Sequence, residues 1–359
     1  MRALLFFLRG GLLFLGATLI LFYSQHAVSV DFSAVAEKSI PGVVNIRTKL
    51  HGKGEQQDTH QLYLSGQVTQ DIVSNSLGTG IIYDKVMHIV TNYHVIQNAK
   101  QIFVLFINSK KMREAKLIGL DRATDLALLR VTPPAEGSPL VFGNSDLLKI
   151  GEGLLAIGNP FGYSHTVTQG ILSAKGRVIG TGPYDNWLQT DALIYPGNSG
   201  GPLLDKNGRV VGLNTKVSRQ AVGIGFAIPS NLVREVVEDL KRYGKVIRPW
   251  LGITGKDILS LDDVAAPGSA QNLYGVIVSN LIIDGPAYKA GVRIGDLIMG
   301  VDNTQIRDKN DLYNCLYKKD PKNQATLKLF RRKKGNISIA LTLGEIPKNQ
   351  SLPKEDNLF

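Results

Sequence analysis

The spacing of apolar and polar residues changes character several times along the chain. Ala3 to Tyr23 is apolar except for Arg9 and follows a basic Met1-Arg2 start. Phe32 to Ser39 has apolar residues at helical spacing, and Gly42-Val43-Val44-Asn45-Ile46-Arg47 then reads as a first strand. Residues 49–76 are polar, with Gln, Gly, His and Ser and no helical period, which predicts a surface loop between strands. From Leu77 to Pro229, short alternating apolar runs break at Gly, Asn, Asp and Pro, the pattern of antiparallel β-barrels. Asn231 to Tyr243 returns to helical spacing, with Leu232, Val233, Val236, Val237 and Leu240 on one face and Ser230 or Asn231 as N-cap.

A second unit follows Gly244. Ala325 to Phe330 and Ile337 to Leu341 alternate like paired strands, with Arg331-Arg332-Lys333-Lys334 at the turn between them. Asp311 to Tyr317 predicts a helix. Trp250-Leu251-Gly252-Ile253 is an apolar stretch interrupted by one glycine. After Pro347 the chain is polar.

The candidate chemistry centres on Gly197-Asn198-Ser199-Gly200-Gly201-Pro202-Leu203. A serine hydroxyl is a poor nucleophile near neutral pH and needs a base, an acid that orients the base, and donors for the negative charge that develops. The glycines allow the N–H groups of Gly197 and Ser199 to converge as such donors. Taken alone, the motif is equally a tight glycine turn. Two upstream segments favour chemistry. His94 lies in the polar cluster Thr91-Asn92-Tyr93-His94, which interrupts a β-branched run and places the histidine at a strand end. Asp125 opens the apolar run Leu126-Ala127-Leu128-Leu129, where a carboxylate is costly without a partner. Histidine, aspartate and serine occur in the chain order of the chymotrypsin-type triad.

These segments resemble the HtrA family of serine proteases. So do Ala156-Ile157-Gly158-Asn159-Pro160-Phe161-Gly162, Thr168-Gln169-Gly170-Ile171-Leu172-Ser173, Gln189-Thr190-Asp191-Ala192 and Gly223-Ile224-Gly225-Phe226-Ala227-Ile228-Pro229. The likeness runs from about Val28 to about Pro347 and is strongest to the membrane-anchored branch that starts an envelope stress response. Tyr195-Pro196 before Gly197 is nearer the general family pattern. The resemblance implies an all-β chymotrypsin-like double β-barrel followed by one α+β PDZ domain, with an N-terminal membrane segment. It implies catalytic His94, Asp125 and Ser199, an oxyanion hole at Gly197 and Ser199, and substrate contacts at Ile224, Gly225 and Phe226. Trp250, Leu251, Gly252 and Ile253 would bind a peptide carboxylate, and Arg177 would lie in a loop that relays activation. The implied partners are a protein substrate, a membrane-bound anti-sigma factor, C-terminal peptides of unfolded outer-membrane proteins, and two further copies of the chain in a homotrimer, with Phe32 and its neighbours as interface candidates. The expected domains are 1–27 anchor or signal, 28–245 protease, 246–348 PDZ and 349–359 polar tail.

Composition narrows the picture. The 359 residues suit two medium domains, and 38 glycines fit a turn-rich β protein. With one cysteine, Cys315, the fold has no internal disulfide, and Cys315 reads as a small packed apolar residue. The net charge of +11 raises nucleic-acid binding, but the basic residues are scattered apart from 331–334; solvated turn charges or attraction to an anionic membrane explain that run. No metal or cofactor is expected, since the histidines lack ligand spacing and no phosphate or dinucleotide loop occurs. Residues 1–27 read as a cleaved signal peptide or a retained anchor. Tyr23-Ser24-Gln25-His26-Ala27 lacks a small-x-small cleavage site, which favours the anchor, oriented with its positive end in the cytoplasm and the catalytic part in the periplasm. Two rival readings stay open: a soluble periplasmic quality-control protease, and a peptide-binding module whose protease domain is mainly structural.

Overall fold

The computed structural model describes residues 31–50, 77–107, 109, 111–133, 136–159, 166–179, 185–217, 223–258, 274–317 and 319–345. The expected anchor 1–27, most of the expected loop 49–76 and the polar tail lie outside the described residues. No helix among the described residues is long and apolar enough to cross a membrane.

Helix α1 (Ser33–Ser39) starts from Phe32 and leads through a 3-10 turn, Ile40–Gly42, into β1 (Val43–Leu50). The first strand therefore begins one residue later than its sequence pattern indicates, because Pro41 and Gly42 complete the turn. Strands β2 (Leu77–Ile82), β3 (His88–Asn92), β4 (Ala99–Leu105), β5 (Arg113–Asp121) and β6 (Leu126–Val131) close with β1 into a barrel of order β1-β2-β3-β6-β5-β4. A one-turn helix, α2 (Tyr93–Ile96), follows β3. The second barrel, of order β10-β11-β12-β9-β8-β7, contains β7 (Gly153–Gly158), β8 (Thr166–Arg177), β9 (Trp187–Thr190), β10 (Pro202–Leu204), β11 (Val210–Val217) and β12 (Gly225–Pro229). Alternation puts one face of each strand inside its barrel.

Helix α3 (Ser230–Tyr243) joins the two barrels. Its buried Val233, Val236, Val237 and Leu240 share one core with Val90 and Leu128 of the first barrel and Leu213 and Ile228 of the second. Each such aliphatic side chain contributes about 1.5–3 kcal/mol on burial. Gly244, in the left-handed region at φ 69, ends the helix with its N–H on the Leu240 carbonyl. Neither Ser230 nor Asn231 caps it. Pro229 holds the cap position, and the buried Ser230 hydroxyl instead donates to the Gly143 carbonyl at 3.0 Å.

Phe32 is 5% exposed, packs toward Gly153 and belongs to this same core. Its ring is taken up within its own chain.

The remaining described residues form a separate core. β13 (Pro249–Trp250) pairs with β20 (Gly344–Glu345). The sheet, of order β14-β15-β16-β18-β19, comprises β14 (Ile253–Asp257), β15 (Val276–Leu281), β16 (Leu297–Val301), β18 (Gln324–Arg331) and β19 (Gly335–Thr342), with β17 (Thr304–Gln305) beside β16. Helices α4 (Pro286–Lys289) and α5 (Lys309–Tyr317) cover it. Cys315 is half-buried against this core. β14 is an edge strand, and α5 lies against β13 and β14.

Candidate active site

Three segments meet where the barrels face each other. His94 sits on α2, two residues beyond the end of β3. Its Nδ1 is 2.7 Å from Asp125 Oδ2, and its backbone N–H donates to Asp125 Oδ1 at 3.0 Å. The His94 side chain is 40% exposed and that of Asp125 14%. Asp125 takes a left-handed backbone at φ 57 just before β6, a conformation Asp tolerates better than most residues. Its carbonyl accepts from Tyr93 N–H and Asn92 Nδ2, both at 3.0 Å. The Thr215 hydroxyl donates to Asp125 Oδ2 at 2.9 Å. A carboxylate that only accepts requires the proton on His94 Nδ1, and in the neutral imidazole that leaves Nε2 as the acceptor.

Ser199 lies on the turn before β10. Its hydroxyl donates to the Thr215 carbonyl at 3.0 Å and forms no bond to His94. Thr215 thus connects both residues, its side chain to Asp125 and its carbonyl to Ser199. A rotation about the Ser199 Cα–Cβ bond would release the hydroxyl from that carbonyl.

The serine turn is clamped by β2 of the other barrel. The Thr79 hydroxyl donates to the Gly197 carbonyl at 2.6 Å, and Thr79 N–H donates to the Ser199 carbonyl at 2.9 Å. Tyr195 C=O accepts Asn198 N–H at 2.9 Å across Pro196 and Gly197, with Gly197 at φ 100. Proline followed by a positive-φ glycine makes this a type II turn. Among the described residues, the N–H groups of Gly197 and Ser199 have no acceptor. Gly200 could not be replaced, since a Cβ there would stand 2.0 Å from the Thr79 carbonyl oxygen.

Gly225 and Phe226 begin β12, between β11 and β9. Phe226 is 7% exposed and buried in the inter-barrel core, so its side chain supports the wall rather than lining a cleft. Ile224 is half-buried beside it, and Gly225 makes room for Ile194. Arg177 closes β8 instead of lying in a free loop. It faces Trp187, and its Nε donates to Gln189 Oε1 at 2.8 Å. Gln189 in turn lies opposite Phe226.

In the second unit, Trp250, Leu251 and Ile253 are buried and Gly252 has φ 79. The Leu251 carbonyl accepts from Ala287 N–H and the Gly252 carbonyl from Ile282 N–H, both at 2.8 Å. In a trans peptide the N–H points opposite the carbonyl, so Gly252 N–H faces away from Ala287 of α4 and Ile253 N–H faces away from Ile282. No group of His, Cys, Asp and Glu able to hold a metal ion occurs among the described residues.

Sequence reasoning missed Thr79 and Thr215. Both are buried hydroxyls on strands, at Gly78-Thr79-Gly80 and Asn214-Thr215, where a polar residue breaks an otherwise apolar pattern.

The family described as trypsin-like peptidase domain matches residues 78–213, and that described as PDZ domain matches 249–342. A probable periplasmic serine endoprotease, DegP-like, from Pseudomonas fulva (strain 12-X) is 36% identical over 352 residues, covering 90% of this chain and 72% of its own. A protein of the same description from Chlamydia trachomatis serovar D is 41% identical over 275 residues; the alignment covers 75% of this chain but 54% of that protein. Among solved structures, the HtrA-type protease AlgW with decapeptide superposes with a TM-score of 0.75 at 31% identity, covering 89% of this chain and 100% of that one. The serine endoprotease from Yersinia pestis gives 0.67 at 33% identity, with 89% and 100% covered.

Proposed function

Because the chain belongs to the HtrA family of serine proteases, we propose that it hydrolyses peptide bonds of proteins in the bacterial envelope through an acyl-enzyme on Ser199. The Ser199 hydroxyl attacks the scissile carbonyl and passes its proton to His94 Nε2. His94 returns that proton to the departing amine. Water, deprotonated by His94, then attacks the acyl carbon and frees Ser199. Asp125 holds the imidazole tautomer, and the Gly197 and Ser199 N–H groups receive the oxyanion. The carrying observation is the 2.7 Å contact of Asp125 with His94 Nδ1, joined to Ser199 through Thr215. Ser199→Ala should lower turnover by several orders of magnitude, because triad members act as a unit. Cleavage by a pure Ser199→Ala protein at the parent rate would overturn the assignment.

Regulation by peptides fits the second unit. A C-terminal carboxylate would sit on the Gly252 and Ile253 N–H groups, with the peptide extending along the free edge of β14 beside α5. The solved AlgW structures hold peptides, which supports the same capacity here. In the finer reading the protein is DegS-like. It is a trimer held at the inner membrane by residues 1–27, with the catalytic part in the periplasm. It is activated by C-termini of unfolded outer-membrane proteins and cleaves a membrane-bound anti-sigma factor. Arg177 would pass the signal through Gln189 to β12; Arg177→Ala should then blunt activation without changing peptide affinity.

The DegP-like names of the relatives are equally consistent with a second reading, a soluble quality-control protease. N-terminal sequencing of the native protein separates the two. A mature N-terminus near residue 28 supports the soluble degrader, and retention of residues 1–27 supports the anchored regulator.

A further inference from the structure

The hairpin β18–β19 ends the sheet on the side opposite β14, and its tip, Arg332-Lys333-Lys334, is exposed. Arg331 at the base of the tip fixes where it lies. Its Nε donates to Asp296 Oδ1 at 2.8 Å, one terminal nitrogen donates to Asp296 Oδ2 at 2.7 Å, and that nitrogen also donates to the Gly291 carbonyl at 2.8 Å. Asp296 Oδ2 further accepts Arg293 N–H at 2.8 Å. A single carboxylate, 1% exposed, therefore ties the hairpin to the turn between α4 and β16.

Both tied segments are basic. Lys289 and Arg293 are exposed on the turn side and add to the three cations of the tip. Asp296 is the one carboxylate in residues 289–296 and 331–336, and it is consumed by Arg331. Amid these charges the turn displays Ile294 at 63% exposure and Tyr288 at 49%. An interfacial surface has a use for an isoleucine next to these cations: the aliphatic tip enters the acyl boundary, the phenol sits at headgroup depth, and long cationic side chains reach the phosphates.

We propose that this face of the PDZ domain docks on an anionic phospholipid bilayer. Charge complementarity selects the bilayer, and the exposed Ile294 and Tyr288 favour it over a hydrophilic polyanion, which would leave both side chains in water. The surface shares no residue with the edge of β14 or the 250–253 loop, so peptide and membrane can be held together. These residues act locally, whatever the fate of residues 1–27.

The test uses the full chain carrying Ile294→Trp, with vesicles of phosphatidylcholine alone or with added phosphatidylglycerol, made with or without brominated acyl chains. The native Trp187 and Trp250 are buried, so they stay beyond the reach of bilayer quenchers. The new indole should shift to the blue and be quenched by brominated chains only when phosphatidylglycerol is present. Combining it with Arg332→Glu, Lys333→Glu and Lys334→Glu should weaken that signal on the order of 100-fold, since each cation near an anionic surface is worth about fivefold. Unchanged peptidase activity reports an intact fold. Should Ile294→Trp fail that check, a polarity-sensitive dye on Lys333→Cys in a Cys315→Ala background gives the same readout. Absence of bromine quenching with phosphatidylglycerol would overturn the docking, as would an unweakened signal in the charge-reversed variant. Salt-sensitive binding to DNA or polyglutamate without bromine quenching would overturn it in favour of a polyanion surface.

Discussion

Arg248 holds Asp121 with both terminal guanidinium nitrogens, Nη1 to Oδ1 at 2.6 Å and Nη2 to Oδ2. The two side chains are 12% and 7% exposed. Asp121 also accepts the N–H and hydroxyl of Thr124, the residue before Asp125. The pair therefore joins the segment leading into the PDZ domain to the turn that carries the candidate catalytic acid. Burial holds the nearby Asp239 carboxyl above its ordinary range, against the Ile247 N–H and the Arg248 charge that pull it down.

Removing one member of a buried pair strands the other. Arg248→Ala should cost on the order of 3 kcal/mol in a denaturant titration. Arg248→Lys should recover only part of that, because an ammonium cannot match the planar fork. Equal stability of all three proteins would show that solvent reaches Asp121 freely.

Thr215 offers a narrower test. Its hydroxyl is one of three donors to the Asp125 carboxylate, and a hydrogen bond to a charged acceptor is worth about 1.5–3 kcal/mol. Thr215→Val keeps the shape and the carbonyl that accepts from Ser199, but loses the donor. It should lower kcat/KM roughly 10- to 100-fold, and Thr215→Ser should restore most of the loss. If valine and serine behave alike, the hydroxyl does not position Asp125.

Tyr83 gives the fold an alkaline dependence. Its phenol is pushed up to about 12, first by burial, then by the charge of Glu238 and the 3.2 Å hydrogen bond to it. The folded state thus holds the phenol proton more tightly than the unfolded chain, where the value is 10.0. The corresponding stability is complete below that unfolded value and is lost as pH rises from it toward about 12. Tyr83→Phe should remove this component, so the stability difference between the two proteins should shrink over that interval. Parallel stability curves would rule the contribution out.

Much of this was legible in the sequence because local chemistry and periodicity agree. The α3 stripe, the β18–β19 hairpin and the three segments bearing His94, Asp125 and Ser199 each carry their own signal. Long-range pairings carry none. Thr79 clamps residue 197 across 118 residues of sequence, and nothing near Thr79 names its partner. Nor does Ser230 reveal locally that its hydroxyl turns to Gly143 instead of capping its helix. The family resemblance placed Arg177 in a loop; strand pairing with Trp187 keeps it in β8 despite the φ of 67 at Gly176 before it.

At Gly197 the proposed oxyanion donor depends directly on backbone conformation. Its φ of 100 makes the Tyr195–Asn198 turn type II, which fixes the direction of the Pro196–Gly197 peptide and its N–H. A side chain at that position favours negative φ, and a type I turn then reverses the same peptide. Gly197→Ala should therefore turn the N–H away from the oxyanion while Thr79 still clamps the carbonyls behind it. Loss of one such donor lowers kcat about 10²- to 10³-fold. KM should change little, and affinity of the PDZ domain for a C-terminal peptide not at all. Gly200→Ala serves as the contrast, since its Cβ would collide with the Thr79 carbonyl and should abolish folding. A folded Gly197→Ala protein that keeps the parent kcat would show that this N–H does not stabilise the oxyanion.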